Sequence, residues 1–194
     1  MNTGLVLWEA ARAAALAAFA VLAAALVTGM AVRTQLLGGL ATSPAVLALH
    51  SFLSWFWVPL VAVHVTALIL DGTSRLTPLD AAVPFRAPYA QVPIGLGTIG
   101  LLILVLVGVT SAFRRRMSAR AFRVVHRAAY PMFAVFLVHA QLAGTDFSRT
   151  WISVLGWATL GALAVLALVR LAAGRLKDQP SATTALPGVV TAPD

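Results

Sequence analysis

The sequence predicts an all-α integral membrane protein: a bundle of five transmembrane helices with its N-terminus outside and its C-terminus inside. Three observations lead there. Of 194 residues, 60% are hydrophobic and only 10% are charged, with a mean hydropathy of +0.92. A soluble domain of this length has too little interior to hide so much apolar surface, so lipid must be part of its solvent. Five apolar runs each reach the roughly 20 residues needed to cross a bilayer. Finally, the basic residues sit at the ends of those runs. A net charge of +8 with a pI near 11.7 would suit nucleic acid as a basic stripe on a soluble fold. Placed as they are here, these residues are topology signals, and no nucleic-acid partner is expected.

The first run, Ala13 to Val32, is uncharged throughout. It is longer than the apolar stretch of a signal peptide, and Glu9 is an unusual neighbour for one, so it reads as a span. The second covers Ala45 to Leu70 and is closed by Asp71 and Gly72. The third, Val92 to Phe113, stops at Arg114, Arg115 and Arg116. The fourth begins near Ser118, carries Arg120, Arg123 and Arg127 on its first turns, and runs to Thr145. The fifth is Trp151 to Val169, ending at Arg170. Residues 1–177 are expected to form one membrane domain. Residues 178–194, rich in Pro, Ala, Thr and Gly without apolar periodicity, are expected to be a disordered cytoplasmic tail. The loop from Asp71 to Gln91, with Pro78, Pro84, Pro88, Phe85 and Tyr89, is placed to cover the outer face of the bundle.

Orientation follows from the positive-inside rule. With the third-to-fourth loop in the cytoplasm, Arg33, Arg114, Arg115, Arg116, Arg120, Arg123, Arg127, Arg170, Arg175 and Lys177 lie inside. Only Arg12, Arg75, Arg86 and Arg149 lie outside, near Glu9, Asp71, Asp80 and Asp146. A multi-pass protein of the plasma membrane is expected, in which spans two and four run in the same direction.

There is no cysteine. Thiolate metal sites, iron–sulfur ligation and covalent c-type haem attachment are therefore excluded. The only histidines are His50, His64, His126 and His139, all on spans two and four. An ionisable side chain within a membrane is costly and marks a functional site by default. One such histidine is readily explained by a hydrogen bond to a neighbouring helix; four, paired on two helices, are not.

His50 and His64, 14 residues apart, are about 21 Å apart along a helix and about 40° out of phase, so they share a face. His126 and His139, 13 apart, are about 140° out of phase in an ideal helix; Pro131 between them is the residue expected to kink or rewind it. Because the spans are parallel, His50 faces His126 near the inner surface and His64 faces His139 near the outer one. Two sites roughly 20 Å apart cannot share one metal ion. They suit two b-type haems, each with two axial imidazoles, an arrangement that favours electron transfer over oxygen binding.

Other residues carry weaker signals. Trp55, Phe56 and Trp57 on span two, and Phe133 and Phe136 on span four, lie between the histidines, where they either wall flat ligands or fill ordinary core. Gly95-Leu96-Gly97-Thr98-Ile99-Gly100 fits a dinucleotide-binding pattern, which requires a preceding strand and a βαβ unit. Here it opens an apolar helix and reads better as close helix packing. Arg33, Arg123 and Arg127 are candidate propionate partners inside, and Arg86 is one outside, where it would otherwise attract an anionic acceptor. Met30 and Met132 are conceivable axial ligands, made unnecessary by four histidines.

The pairing of H-x13-H on one helix with H-x12-H two spans later resembles the ferric reductase-like transmembrane domain, shared by ferric-chelate reductases, NADPH oxidases and related bacterial haem proteins. The resemblance covers roughly residues 8 to 170. Val83-Pro84-Phe85, Gly95-Leu96-Gly97-Thr98, Thr110-Ser111, Tyr130-Pro131 and Gly144-Thr145-Asp146 look like stretches of bacterial members. It implies an inner haem on His50 and His126, an outer haem on His64 and His139, and electrons passing outward from a cytoplasmic donor. Larger members carry a C-terminal flavin and nicotinamide domain, for which this sequence has no counterpart, and their core often has six spans rather than five.

The expected function is therefore a membrane haem subunit, an oxidoreductase component without its own flavin domain. Its donor is a separate flavoprotein or a quinol, and its acceptor is extracytoplasmic. Two other readings remain open: a non-catalytic haem-binding redox sensor or assembly subunit, and a small transporter relaying protons or metal through its histidines. Against the transporter, Asp and Glu are absent from every span core, and no inverted repeat is apparent.

Overall fold

The computed structural model describes residues 3–34 and 43–177, and over these the chain is all helical. Its helices are α1 (Thr3–Thr34), α2 (Ser43–Leu70), the short α3 (Pro78–Ala82), α4 (Gln91–Ala112), α5 (Ala119–His126), α6 (Ala129–Ala143) and α7 (Thr150–Lys177), with single 3₁₀ turns at 114–116 and 145–148. Five segments among the described residues are long and apolar enough to cross a membrane: Thr3–Val32, Pro44–Leu70, Gln91–Ala112, Ala119–Ala143 and Thr150–Val169. The five expected spans are all present. The tail 178–194 and the side chains of Arg33, Arg170, Arg175 and Lys177 lie outside the described residues.

The first helix begins ten residues before its uncharged run and takes in Trp8, Glu9 and Arg12. At 1.5 Å per residue its 32 residues span about 48 Å, more than the roughly 30 Å hydrocarbon core. Its buried stripe is Ala11, Ala14, Ala18, Leu22 and Ala25, spaced three or four residues apart. Small side chains along one face allow a neighbouring backbone to come close, and α2 packs along this face. Likewise α4 packs along α6, and α7 leans on both α1 and α6. The molecule is thus two helical hairpins, α1–α2 and α4–α6, braced by α7.

Span four is not one continuous helix. It breaks at Arg127 and Ala128, between α5 and α6. Pro131 sits in the first turn of α6, where its missing N–H costs nothing, but its ring conflicts with the carbonyl four residues earlier, that of Arg127. The chain instead closes tight turns, with Ala128 N–H donating to Val125 O at 2.9 Å and Tyr130 N–H donating to Arg127 O at 3.1 Å. The phase error predicted for a straight helix is taken up here, four residues before the proline.

Between the hairpins, Met30, Trp57, Met132 and Phe133 form the centre of the core with Leu22, Leu26 and Leu163. Phe52, Trp55 and Phe56 point the other way and are exposed, on the lipid-facing side of α2.

The loop 71–90 is built by local hydrogen bonds. Thr77 caps α3 in a reciprocal box with Asp80, whose carboxylate accepts from Thr77 N at 2.9 Å and Thr77 Oγ1 at 2.6 Å. These bonds hold the Asp80 carboxyl below its ordinary range. The loop is tied to α4 where Thr98 Oγ1 donates to Asp80 O at 3.2 Å and where Phe85, in the left-handed region at φ 62°, lies over Gly95.

A charged clasp joins the hairpins at the same end. Arg12 Nε–H on α1 donates to Asp146 Oδ2 at 2.9 Å, just after α6, while Arg12 Nη2 donates to Oδ1. Arg12 Nη1 also reaches Glu9 at 3.1 Å, and its guanidinium lies 4.1 Å from the centre of the Trp8 ring. The fork of hydrogen bonds from Arg12 holds the buried Asp146 carboxyl below its ordinary range. A carboxyl depressed in the folded state contributes stability above its unfolded pKa and loses it as pH falls through the folded value. The melting temperature in detergent is therefore expected to be flat from about pH 8 to about pH 5 and to drop below about pH 4. Asp146→Asn should lower the neutral-pH melting temperature by several degrees and remove part of the acid dependence; an unchanged melt would show the clasp to be dispensable.

Candidate functional site

His50 and His64 lie on α2, His126 at the end of α5 and His139 on α6, and three of the four rings are seated on the first helix of their hairpin in the same way. His50 Nδ1–H donates to Ala25 O at 2.9 Å, His64 Nδ1–H to Ala11 O at 2.8 Å, and His139 Nδ1–H to Pro93 O at 2.7 Å. A carbonyl can only accept, so the proton must be on Nδ1. That leaves Nε2, on the opposite side of the ring, as the nitrogen with a free lone pair.

The residue four positions after each carbonyl is small: Ala15, Gly29 and Gly97. In a helix the Cα–Cβ bond leans towards the N-terminus, so a side chain at that position covers the carbonyl one turn earlier. Glycine uncovers it. A Cβ at Gly29 would lie 2.9 Å from His50 Cε1, and one at Gly97 2.7 Å from His139 Cε1; both contacts are closer than packing allows. The G-x-G-x-x-G run is thus a seat for rings: Gly95 lies under Phe85, Gly97 under His139, and Gly100 under Phe136.

Across the hairpins, the histidines come together in two tiers. At the end of the bundle carrying the arginine run, the His50 and His126 rings are 6.1 Å apart between centroids and 82° from parallel. His126 is stacked on Phe122 at 5.0 Å, and the Arg114 guanidinium lies 5.5 Å from the centre of the Phe122 ring. At the opposite end, His64 and His139 both line one cavity of about 370 Å³, within the usual range for small-molecule pockets. Helices α2 and α6 scarcely approach one another. Trp57 and Phe136, 5.8 Å apart between ring centroids, project into that gap between the tiers and line the cavity.

The structure places several residues whose role the sequence left open. Trp55 and Phe56 face outward and take no part in the site; only Trp57 of that trio does. Met30 and Met132 are almost fully buried in the central core, among apolar partners rather than at either tier. Arg86 is 3.9 Å from Asp80 and does not line the cavity. The basic residue that does is Arg12, together with Trp8, Asp146 and Tyr89. Arg12 was missed because it precedes the uncharged run; its spacing of three from Glu9 was the available sign that the helix starts earlier. Arg123 and Arg127 are exposed, and the side chain of Arg33 is not described.

Chemically, each tier offers two imidazoles, joined at the His64–His139 end by Arg12, Asp146 and Tyr89 around the cavity. Among the described residues, no group of three or more His, Asp or Glu side chains converges as a metal-ligand cluster. A metal held here must bring its remaining donors with it, as the iron of a porphyrin does. The residues fit such a group: oriented rings, a gap between two hairpins, and aromatic walls.

No curated protein and no solved structure matches the chain. One family profile does match, that of the ferric reductase like transmembrane component, over residues 14–137. The matched stretch contains His50, His64 and His126 and ends two residues before His139. Since it covers well over half of the sequence, the chain belongs to the ferric reductase like transmembrane family, a family of membrane redox components that generally bind haem.

Proposed function

We propose that this chain is a di-haem b-type cytochrome subunit that carries electrons across the plasma membrane. Its inner haem is held by His50 and His126, and its outer haem by His64 and His139. The donor is a separate flavoprotein or a membrane quinol on the cytoplasmic side, and the acceptor is extracytoplasmic. The arginine distribution supports this orientation, placing the His50 tier inside.

The observation that carries the proposal is the 6.1 Å between the His50 and His126 ring centroids. Two imidazoles brought this close from different hairpins would hold one metal-centred group between them, each contributing a ring nitrogen. Haem held by these histidines would supply one-electron exchange between ferric and ferrous iron. The residues of the chain do the rest. The carbonyls of Ala25, Ala11 and Pro93 fix the tautomer and direction of the ligating rings, the usual task of groups behind a metal ligand. Trp57 and Phe136 keep water out of the space between the tiers. Arg12, beside the cavity, places positive charge where a haem carboxylate or an anionic acceptor would come.

The purified chain is expected to show a reduced-minus-oxidised b-type spectrum with two haems per polypeptide; a colourless preparation from haem-replete cells would refute the proposal. His64→Ala or His139→Ala should each remove one haem, and His50→Ala or His126→Ala the other, so that half of the absorbance is lost each time. Gly97→Leu should lose the same haem as His139→Ala, because a side chain there displaces the imidazole. Gly108→Leu, where a Cβ would meet nothing within 4 Å, should keep both haems.

A further inference from the structure

The three histidine seats are not equivalent. Ala25 O accepts His50 Nδ1–H at 2.9 Å and also the Thr28 hydroxyl at 3.0 Å, a hydroxyl shared with Ala24 O at 2.9 Å. The α-helical ladder directs a third donor, the Gly29 N–H, to the same oxygen. A carbonyl oxygen has two lone pairs, so these donors compete. The corresponding positions, three residues after Ala11 and Pro93, hold Ala14 and Leu96, which have no hydroxyl. Thr28 is buried, with no water in lipid to turn to. A threonine bonding back to its own helix is common in itself; here the oxygen it bonds is the one that orients a ligand.

We propose that Thr28 is a positioning residue that sets the redox potential of the haem held by His50, by drawing on the carbonyl to which His50 donates. The inference rests on the di-haem reading. A strong Nδ1–H to carbonyl bond pushes an imidazole towards imidazolate and makes it a better donor to ferric iron, and such hydrogen bonding behind the ligand is a known lever on potential. The Thr28 hydroxyl weakens that push, so the ferric state is stabilised less and the haem is easier to reduce. The seats of His64 and His139 lack this hydroxyl. The raised potential therefore belongs to the His50 tier alone, the one placed on the donor side.

The test is a mediated redox titration of the full-length holoprotein, followed by the b-type absorbance, for the wild type, Thr28→Val and Thr28→Ser. Thr28→Val keeps the shape and removes the donor. It should shift half of the absorbance change to lower potential and leave the other half in place, while Thr28→Ser should titrate like the wild type. Thr28→Ala is a second, smaller variant with the same expected shift should valine disturb packing. An unmoved titration in Thr28→Val or Thr28→Ala, equal shifts of both halves, or a shift in Thr28→Ser as large as in Thr28→Val would each overturn the inference. A wild-type protein without haem would instead overturn the reading beneath it, so the two failures are distinguishable.

Discussion

An imidazole inside a membrane has a ring N–H that water cannot satisfy, and the nearest acceptors are carbonyls already engaged in a neighbouring helix. Much of this bundle follows from that constraint. His50 and His64 reach Ala25 and Ala11, two carbonyls spaced 14 residues apart like the histidines themselves, which sets the register of α2 against α1. His139 reaches Pro93 and does the same for α6 against α4. A side chain one turn beyond each carbonyl would shield it, so alanine or glycine stands there. The small-residue stripe of α1 and the glycines of α4 are therefore parts of the ligand seats as well as helix-packing devices.

The same bonds decide what remains between the hairpins. The rings of His50, His64 and His139 turn Nδ1 back into their own hairpins, so their second nitrogens are directed to the space separating α2 from α6. Those two helices scarcely approach each other, and Trp57 with Phe136 occupies the middle of the gap. At one end the loop 71–90 and the Arg12–Asp146 clasp close over the cavity. The hairpins are thus rigid plates held apart at the centre and tied at the rim.

Most of the architecture was readable from the residues alone because a bilayer leaves few choices: length and apolarity name the spans, and parallel direction pairs His50 with His126. The seats were not readable. Nothing in the local sequence says that Gly29 lies under His50, since that depends on the register between two helices. Trp55, Phe56 and Trp57 are consecutive and equally apolar, yet only Trp57 turns inward, and a helix buried on one side and lipid-coated on the other gives little amphipathic signal to separate them. Pro131 was recognisable as a disturbance, but a proline acts on the carbonyl four residues before it, so the break appears at Arg127. Arg12 escaped notice because a charge at a helix end looks like a boundary until its partner, distant in sequence at Asp146, is known.

The break at Arg127 and Ala128 also divides the fourth span mechanically. Helix α6 is held by α4 and α7, whereas α5, packed chiefly on α4 among the long helices, has only eight residues, too few to persist as a helix through its own hydrogen bonds. Its order comes from outside as well: from its packing on α4, the approach of Arg114 to the Phe122 ring and the approach of His126 to His50. Opening of the bundle is therefore expected to begin at the arginine end, with amide protons of α5 exchanging before those of α6. On the di-haem proposal, filling the His50 tier would knit that end together, so that local stability and cofactor content would rise and fall as one quantity.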